Sequence, residues 1–238
     1  MAAKPDVQAL LFDVFGTVVD WRSSIIAEMT EFGADKGLKA DWVAFTDDWR
    51  GLYQPAMEEV RSGRRAWTIL DVLHRESLET LLAKHAINGL SEADKDHVNR
   101  VWHRLKPWPD VVEGLRRLKT RHIIGTLSNG NVGLLTRLAK NAGLPWDVVL
   151  GAETARAYKP LPQAYLASAG LLNLRPDQVM LVAAHNGDLA AAAACGLRTA
   201  FVARPTEYGP HQKADFKADR DWDVIADSFT GVADKLGC

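Results

Sequence analysis

The sequence predicts an α/β fold: a doubly wound parallel sheet with a Rossmann-like core and an inserted helical cap. Three observations predict it. Short, continuous apolar runs alternate with helical patterns along the second half of the chain, as strands do when crossover helices bury both faces of their sheet. More than a hundred residues separate the first such run from the next, far more than one crossover helix needs. Polar and charged residues stand where the runs end.

The first run, "VQALLFD" (7–13), stops on a carboxylate, Asp13, and a Phe-Gly-Thr turn follows at once. The interval after it is rich in helix formers. Apolar residues recur at helical spacing in "DWVAFTDDWRGLY" and "AWTILDVLHRESLETLLAKH". The core is therefore expected at residues 1–20 and 105–238, and the cap at 21–104. The segment "LKPWPDVV" (105–112), with Pro107 and Pro109, marks the return to the core. Further strands are expected at "HIIGTLS" (122–128), "QVMLVAA" (178–184) and "RTAFVA" (198–203), with a weaker candidate at "DVVLGA" (147–152). Helices are expected over 109–119, opened by Pro109 at the first helical position, and over 131–142, 161–171 and 188–195.

Composition limits the function classes. The chain has 238 residues, 47% of them hydrophobic and 25% charged, with a formal net charge of −1. That balance offers no field to attract nucleic acid or an anionic membrane. The start, "MAAKPDVQAL", has no basic region followed by a long apolar one, and no apolar stretch is long enough to span a bilayer. Cys195 and Cys238 are the only cysteines, which is no disulfide framework. The expectation is a soluble, cytoplasmic protein.

In an open parallel sheet, ligands bind beyond the carboxyl ends of the strands. Four predicted strand ends deliver Asp13, then Ser128-Asn129-Gly130, then Lys159-Pro160, then the stretch from His185 to Asp188. Each has a bland alternative: a helix cap, a turn, an exposed Lys-Pro. All four at one edge of one sheet point instead to a site.

These residues resemble the haloacid dehalogenase superfamily, through "FDVFGTVVD", "TLSNG", "YKP" and "GDLAAAAACG", in that order and spread over nearly the whole chain. The resemblance explains the Gly-Thr after Asp13 as a tight turn that lets a nucleophilic carboxylate protrude. Most members are Mg²⁺-dependent phosphatases, with a second Asp two residues after the nucleophile and an acid in the fourth motif. Here those positions are Phe15 and Ala184. A phenyl ring donates no proton to an alkoxide, and Mg²⁺ would lack oxygen ligands. A halide leaving group needs neither.

The similarity is closest to the type II (L-2-haloacid) dehalogenases, which implies hydrolysis of short 2-haloacids to 2-hydroxy acids without metal or cofactor. In that pattern Asp13 matches the nucleophile that forms an ester, and Thr17 the turn threonine. Trp49-Arg50 matches a cap pair whose arginine assists halide departure. Ser128 and Asn129 match the residues that hold the substrate carboxylate. Lys159 matches the lysine beside the nucleophile, Tyr165 a family tyrosine, and Asp188 the residue that positions the hydrolytic water. Arg50 alone reads as a solvated helix arginine, and Tyr165 equally as a core aromatic. The implied partners are the haloacid and halide, together with a second copy in a homodimer. The tryptophans would serve that surface or the core.

The chain also departs from the family. Its fourth motif reads "AAHNGD": Ala183 and Ala184 replace serines, His185 an asparagine and Gly187 a pocket tryptophan. Phe15 replaces a tyrosine and Gly51 a glutamine. His185 has three readings: a base for the hydrolytic water, a donor to the leaving halide, or a support for the Asp188 loop. Haloacetates are the expected substrates, fluoroacetate among them if His185 and Arg50 together solvate fluoride. Two alternatives remain: a phosphatase or phosphonatase acting on a small phosphorylated metabolite, and a non-catalytic binding protein on the same scaffold.

Overall fold

A computed structural model describes residues 6–238; the first five residues of the start "MAAKPDVQAL" lie outside it. Eight strands are assigned among the described residues: β1 Ala9–Phe12, β2 Val19–Asp20, β3 Lys106–Pro107, β4 Ile123–Ser128, β5 Val148–Gly151, β6 Val179–Ala183, β7 Arg198–Val202 and β8 Val224–Ala226. Six form one parallel sheet in the order β5-β4-β1-β6-β7-β8. The order reverses direction at β1, so the chain's first strand lies at the switch point where such sheets open a crevice.

Every residue of β1 is buried, because helices cover both faces. Side chains alternate across the sheet. Leu10 and Phe12 join an apolar cluster on one face, while Ala9 and Leu11 join another, with Leu127, Leu181 and Leu189, on the other face. The helices that follow are α5 Val111–Lys119, α6 Val132–Ala142, α7 Ala152–Ala155, α8 Pro162–Leu171, α9 Asn186–Ala194 and α10 Phe229–Leu236.

Between β2 and β3 the chain forms α1 Trp21–Lys36, α2 Trp42–Arg61, α3 Leu70–Lys84, α4 Glu92–Asn99 and a 3₁₀ turn, Arg100–His103. Side-chain caps start three of these helices: Asp20 accepts Ser23 N–H, Asp41 accepts Val43 and Ala44 N–H, and Ser91 closes a capping box with Asp94. β2 and β3 pair antiparallel, so one short ribbon carries the chain out to the helices and back. The helical layer shares the core of the sheet. Phe15, from the turn after β1, lies edge-on to Trp102 and Tyr53, and Trp102 stacks on Trp21. All eight tryptophans pack within or against the apolar clusters, so core packing accounts for them.

Two points differ from the sequence expectation. Pro109 does not open its helix: Asp110 is the N-cap, and Pro109 stands before it. The reason is that both Asp110 oxygens are held by Arg204 and one also accepts Phe229 N–H, which fixes the cap one residue later. In addition, strands β2, β3 and β8 and helices α7 and α10 have no counterpart in the sequence expectation.

β4 and β5 meet at Ser128 and Gly151, and a Cβ at Gly151 would lie 2.1 Å from the Ser128 carbonyl oxygen, at a φ of +139°. Gly151→Ala is expected to cost ~1–3 kcal/mol of folding free energy through overpacking and a disfavoured φ. A lower urea midpoint with an unchanged slope would report it.

Candidate active site

The site begins where β1 ends. The Asp13 N–H still donates to the Val182 carbonyl at 3.1 Å, so the sheet holds the residue's backbone while its side chain leaves the ladder. The chain then turns back: Val18 and Val19 N–H both reach the Val14 carbonyl. Gly16 makes the turn possible at φ +91°, and a Cβ there would fall 2.1 Å from a Glu207 carboxylate oxygen. Glycine is required twice over, by conformation and by that close approach.

Asp13 is buried, with donors on both oxygens. Lys159 Nζ lies 2.8 Å from Oδ1. The Thr17 hydroxyl donates to Oδ2 at 2.7 Å and itself accepts the Ala184 N–H. His185 Nδ1 stands 3.0 Å from the same Oδ2. Burial alone would raise the Asp13 pKa, but the charges of Lys159 and His185 and their hydrogen bonds outweigh it, and the carboxyl stays well below the usual range. Lys159 also reaches Asp188 Oδ2 at 2.5 Å, and Tyr165 donates its hydroxyl to Asp188 Oδ1 at 2.7 Å. Burial would lower the Lys159 pKa, yet the two carboxylates hold it above the ordinary lysine value. The Lys159 backbone is fixed from both sides, its N–H by Asn129 Oδ1 at 2.9 Å and its carbonyl by Arg61 at 3.0 Å.

Arg50 descends from α2, its guanidinium 5.2 Å from the Trp21 ring and 4.4 Å from the Tyr53 ring. Nη2 lies 3.9 Å from Glu207, and the buried Nη1 has no hydrogen-bond partner. Burial disfavours the charged form, but Tyr208, Tyr53 and Glu207 outweigh it and keep Arg50 a cation.

These groups face a cleft of ≈ 540 Å³. Asp13, Phe15, Arg50, Asn129, Lys159, Tyr165, His185 and Asp188 all line it, as does Gly187. Thr17 and Ser128 do not. Both are fully buried behind the wall, Thr17 on the Asp13 carboxylate and Ser128 accepting the Gly130 N–H at 3.1 Å. No atom lies within 4 Å of a Cβ built on Gly187, so nothing refills the volume there. Gly51 is outside this wall, on an adjoining cavity beneath Arg50.

Sequence reasoning missed Glu207. It is 1% exposed, accepts Trp21 Nε1–H at 2.9 Å, and lies 2.8 Å from His185 Nε2. Its pKa is lowered: burial pushes it up, and His185 and Arg50 more than offset that. A signal was present, because Glu207 follows the strand at 198–203 and so stands at a fifth strand end on the same edge. Tyr53, Tyr208 and Arg61 also line the cleft without having been singled out.

Comparison with known proteins agrees with this geometry. Residues 7–196 match the family model of haloacid dehalogenase-like hydrolases. The crystal structure of a defluorinating L-2-haloacid dehalogenase superposes with a TM-score of 0.95 at 50% identity, covering 98% of this chain and 96% of that one. A second L-2-haloacid dehalogenase structure gives a TM-score of 0.94 at 48% identity, over 97% and 99% of the two chains. A curated relative, (S)-2-haloacid dehalogenase 4A of Burkholderia cepacia, is 27% identical over 236 residues, 95% of this chain and 98% of its own. The chain belongs to the haloacid dehalogenase-like hydrolases.

Proposed function

We propose that the protein hydrolyses short 2-haloacids to 2-hydroxy acids through a covalent ester on Asp13, without a metal ion. The observation that carries this is a buried Asp13 held ionised at the sheet's switch point, with Lys159 at 2.8 Å and no acid at Phe15 or Ala184 beside it. An anion so placed is a nucleophile. Oδ2 accepts two donors and Oδ1 only one, so Oδ1 keeps an in-plane lone pair to attack the halogen-bearing carbon. The C–X bond breaks with its electrons on the halide, and inversion follows at a chiral carbon.

Arg50 receives the departing halide, since the partnerless Nη1 is a buried cationic donor. The substrate carboxylate belongs beside Asn129, which lines the cleft. Asn129 Oδ1 is taken by the Lys159 N–H, which leaves its amide N–H groups for an anion, while Ser128, buried behind the wall, accepts the Gly130 N–H and holds the turn that carries Asn129. Asp188, held by Lys159 and Tyr165, orients the water that cleaves the ester at Cγ. Product oxygen Oδ1 leaves as the new hydroxyl, and the water's oxygen stays on Asp13.

Phosphate transfer finds less support. The Phe15 ring packs against Trp102 and Tyr53, and Ala184 is buried, so neither position offers an acid or a metal ligand. The relatives named above for 2-haloacids, one of them defluorinating, support a haloacid, and the open wall at Gly187 leaves room beyond a haloacetate. No helix among the described residues is long and apolar enough to cross a membrane. The reading includes a cap at 21–104 over a core at 1–20 and 105–238, a cytoplasmic location and a homodimer, the last checked by sedimentation.

The deciding assay is halide release from chloroacetate, fluoroacetate and both enantiomers of 2-chloropropionate, with excess EDTA and beside Asp13→Asn. Release should survive chelation and vanish in the variant. If no substrate gives halide while Mg²⁺-dependent phosphate release appears, the proposal fails. A second expectation concerns Thr17→Val, which keeps the shape but removes one donor to Oδ2. It should lower kcat by roughly 10²-fold with little change in KM. It should also destabilise the fold by ~1–3 kcal/mol, because the Ala184 N–H loses its acceptor.

A further inference from the structure

His185 lies between two carboxylates. Nδ1 is 3.0 Å from Asp13 Oδ2, and Nε2 is 2.8 Å from Glu207 Oε2. Ionised carboxylates only accept hydrogen bonds, so a ring engaged with one at each nitrogen must carry a proton on both. The resting side chain is thus an imidazolium. Its surroundings agree: burial opposes the charge, but Glu207 and Asp13 push the His185 pKa well above its ordinary value. Glu207 is not a passing neighbour. The Trp21 indole fixes its other oxygen, and the bare backbone of Gly16 leaves it the space it fills.

Resting on the ester mechanism above, we propose that Glu207 is a positioning residue that keeps His185 doubly protonated through the cycle, making His185 a cationic donor to the Asp13 acyl oxygen and not the base for water. Oδ2 becomes the ester carbonyl, still facing the Thr17 hydroxyl and His185 Nδ1–H. As water adds to Cγ, Oδ2 takes up negative charge, and these two donors stabilise it. The water's first proton goes to Asp188. The Cγ–Oδ1 bond then breaks, and the proton on Asp188 passes to Oδ1, giving the 2-hydroxy acid. The second proton of water leaves to solvent as Asp13 returns to its ionised form. Net proton release therefore belongs to ester hydrolysis. A basic His185 would require the opposite order: it would have to shed its Nδ1 proton once Asp13 lost its charge, together with the halide, and recover it from water.

The groups facing this pair are Asp13 from β1, Glu207 and Tyr208 from the segment after β7, Arg50 from α2, and the Lys159–Asp188 pair across Asp13. Of these, Glu207 is the one whose charge persists beside the ring after Asp13 is esterified. With a raised His185 pKa, activity should be flat through the neutral region and fall only as alkaline pH removes the ring proton.

Wild-type enzyme mixed rapidly with chloroacetate tests this without any variant, read by halide release and by a pH-indicator dye. A halide burst with no accompanying proton burst is expected, and ¹⁵N NMR of histidine-labelled resting enzyme should show both His185 nitrogens protonated. One proton released per site with the halide, or a neutral His185, would overturn the proposal. Halide absent altogether would instead sink the dehalogenase reading. In Glu207→Gln the halide burst should persist while ester hydrolysis slows roughly 10²–10³-fold, the ester accumulates as a mass increment on the Asp13 peptide, and the alkaline limb moves to lower pH. Glu207→Asp should restore part of the rate. A Glu207→Gln enzyme with an unshifted pH profile would count against it.

Discussion

A carboxylate buried away from water is costly unless donors meet its oxygens and cations offset its charge, and the structure is organised around meeting that condition at Asp13. Its backbone is fixed by β6, its oxygens by Lys159, Thr17 and His185, and each of those is held in turn. Lys159 is braced by Asn129, Arg61 and Asp188, Thr17 by the Ala184 N–H, and His185 by Glu207. The braces come from different strand ends and from the helical layer. A nucleophile with so little freedom needs little reorganisation to attack.

How much of this was legible in the sequence depended on how each part is encoded. The parallel strands were readable because burial on both faces writes them as continuous apolar runs, and the site motifs because they sit directly after those runs. β8 is three residues long with Ile225 exposed, and β2 and β3 have two residues each, too short for any periodicity to register. Glu207 was hidden for another reason. It stands in an irregular segment between β7 and β8, and its burial depends on Gly16 and Trp21, far away in the chain. A glutamate is mostly exposed, and only its place just beyond the end of β7 marks this one as an exception. Conversely, Thr17 and Ser128 were readable as motif members, yet only the fold shows that they support the cleft wall from behind.

One departure from the family pattern, the histidine at position 185, draws its surroundings with it. Histidine at position 185 brings a cation beside Asp13, and a buried cation needs an anion. Glu207 supplies it, and Glu207 fits only because position 16 has no side chain. Arg50 then approaches the same carboxylate from the other side. Position 16 was already glycine for the sake of its φ, so a residue required by turn geometry also became the floor of a second carboxylate site.

The charges of the cluster suit this chemistry. Asp13, Asp188 and Glu207 face Lys159, His185 and Arg50, so the buried set is formally neutral. An anionic substrate approaching an anionic nucleophile would otherwise be repelled, by about 4 kcal/mol at 4 Å for an effective dielectric of 20. Lys159 and His185 on Asp13, and Arg50 on the same cleft, offset that repulsion without neutralising the nucleophile itself. When the ester forms, the total charge does not change: one unit moves from Asp13 to the halide. The cluster loses an anion near Lys159 and His185 and gains one near Arg50, while Glu207, between His185 and Arg50, stays in place throughout. That fixed anion lets His185 remain charged when its other partner becomes an ester, so the polarisation needed to cleave the ester is in place before water attacks.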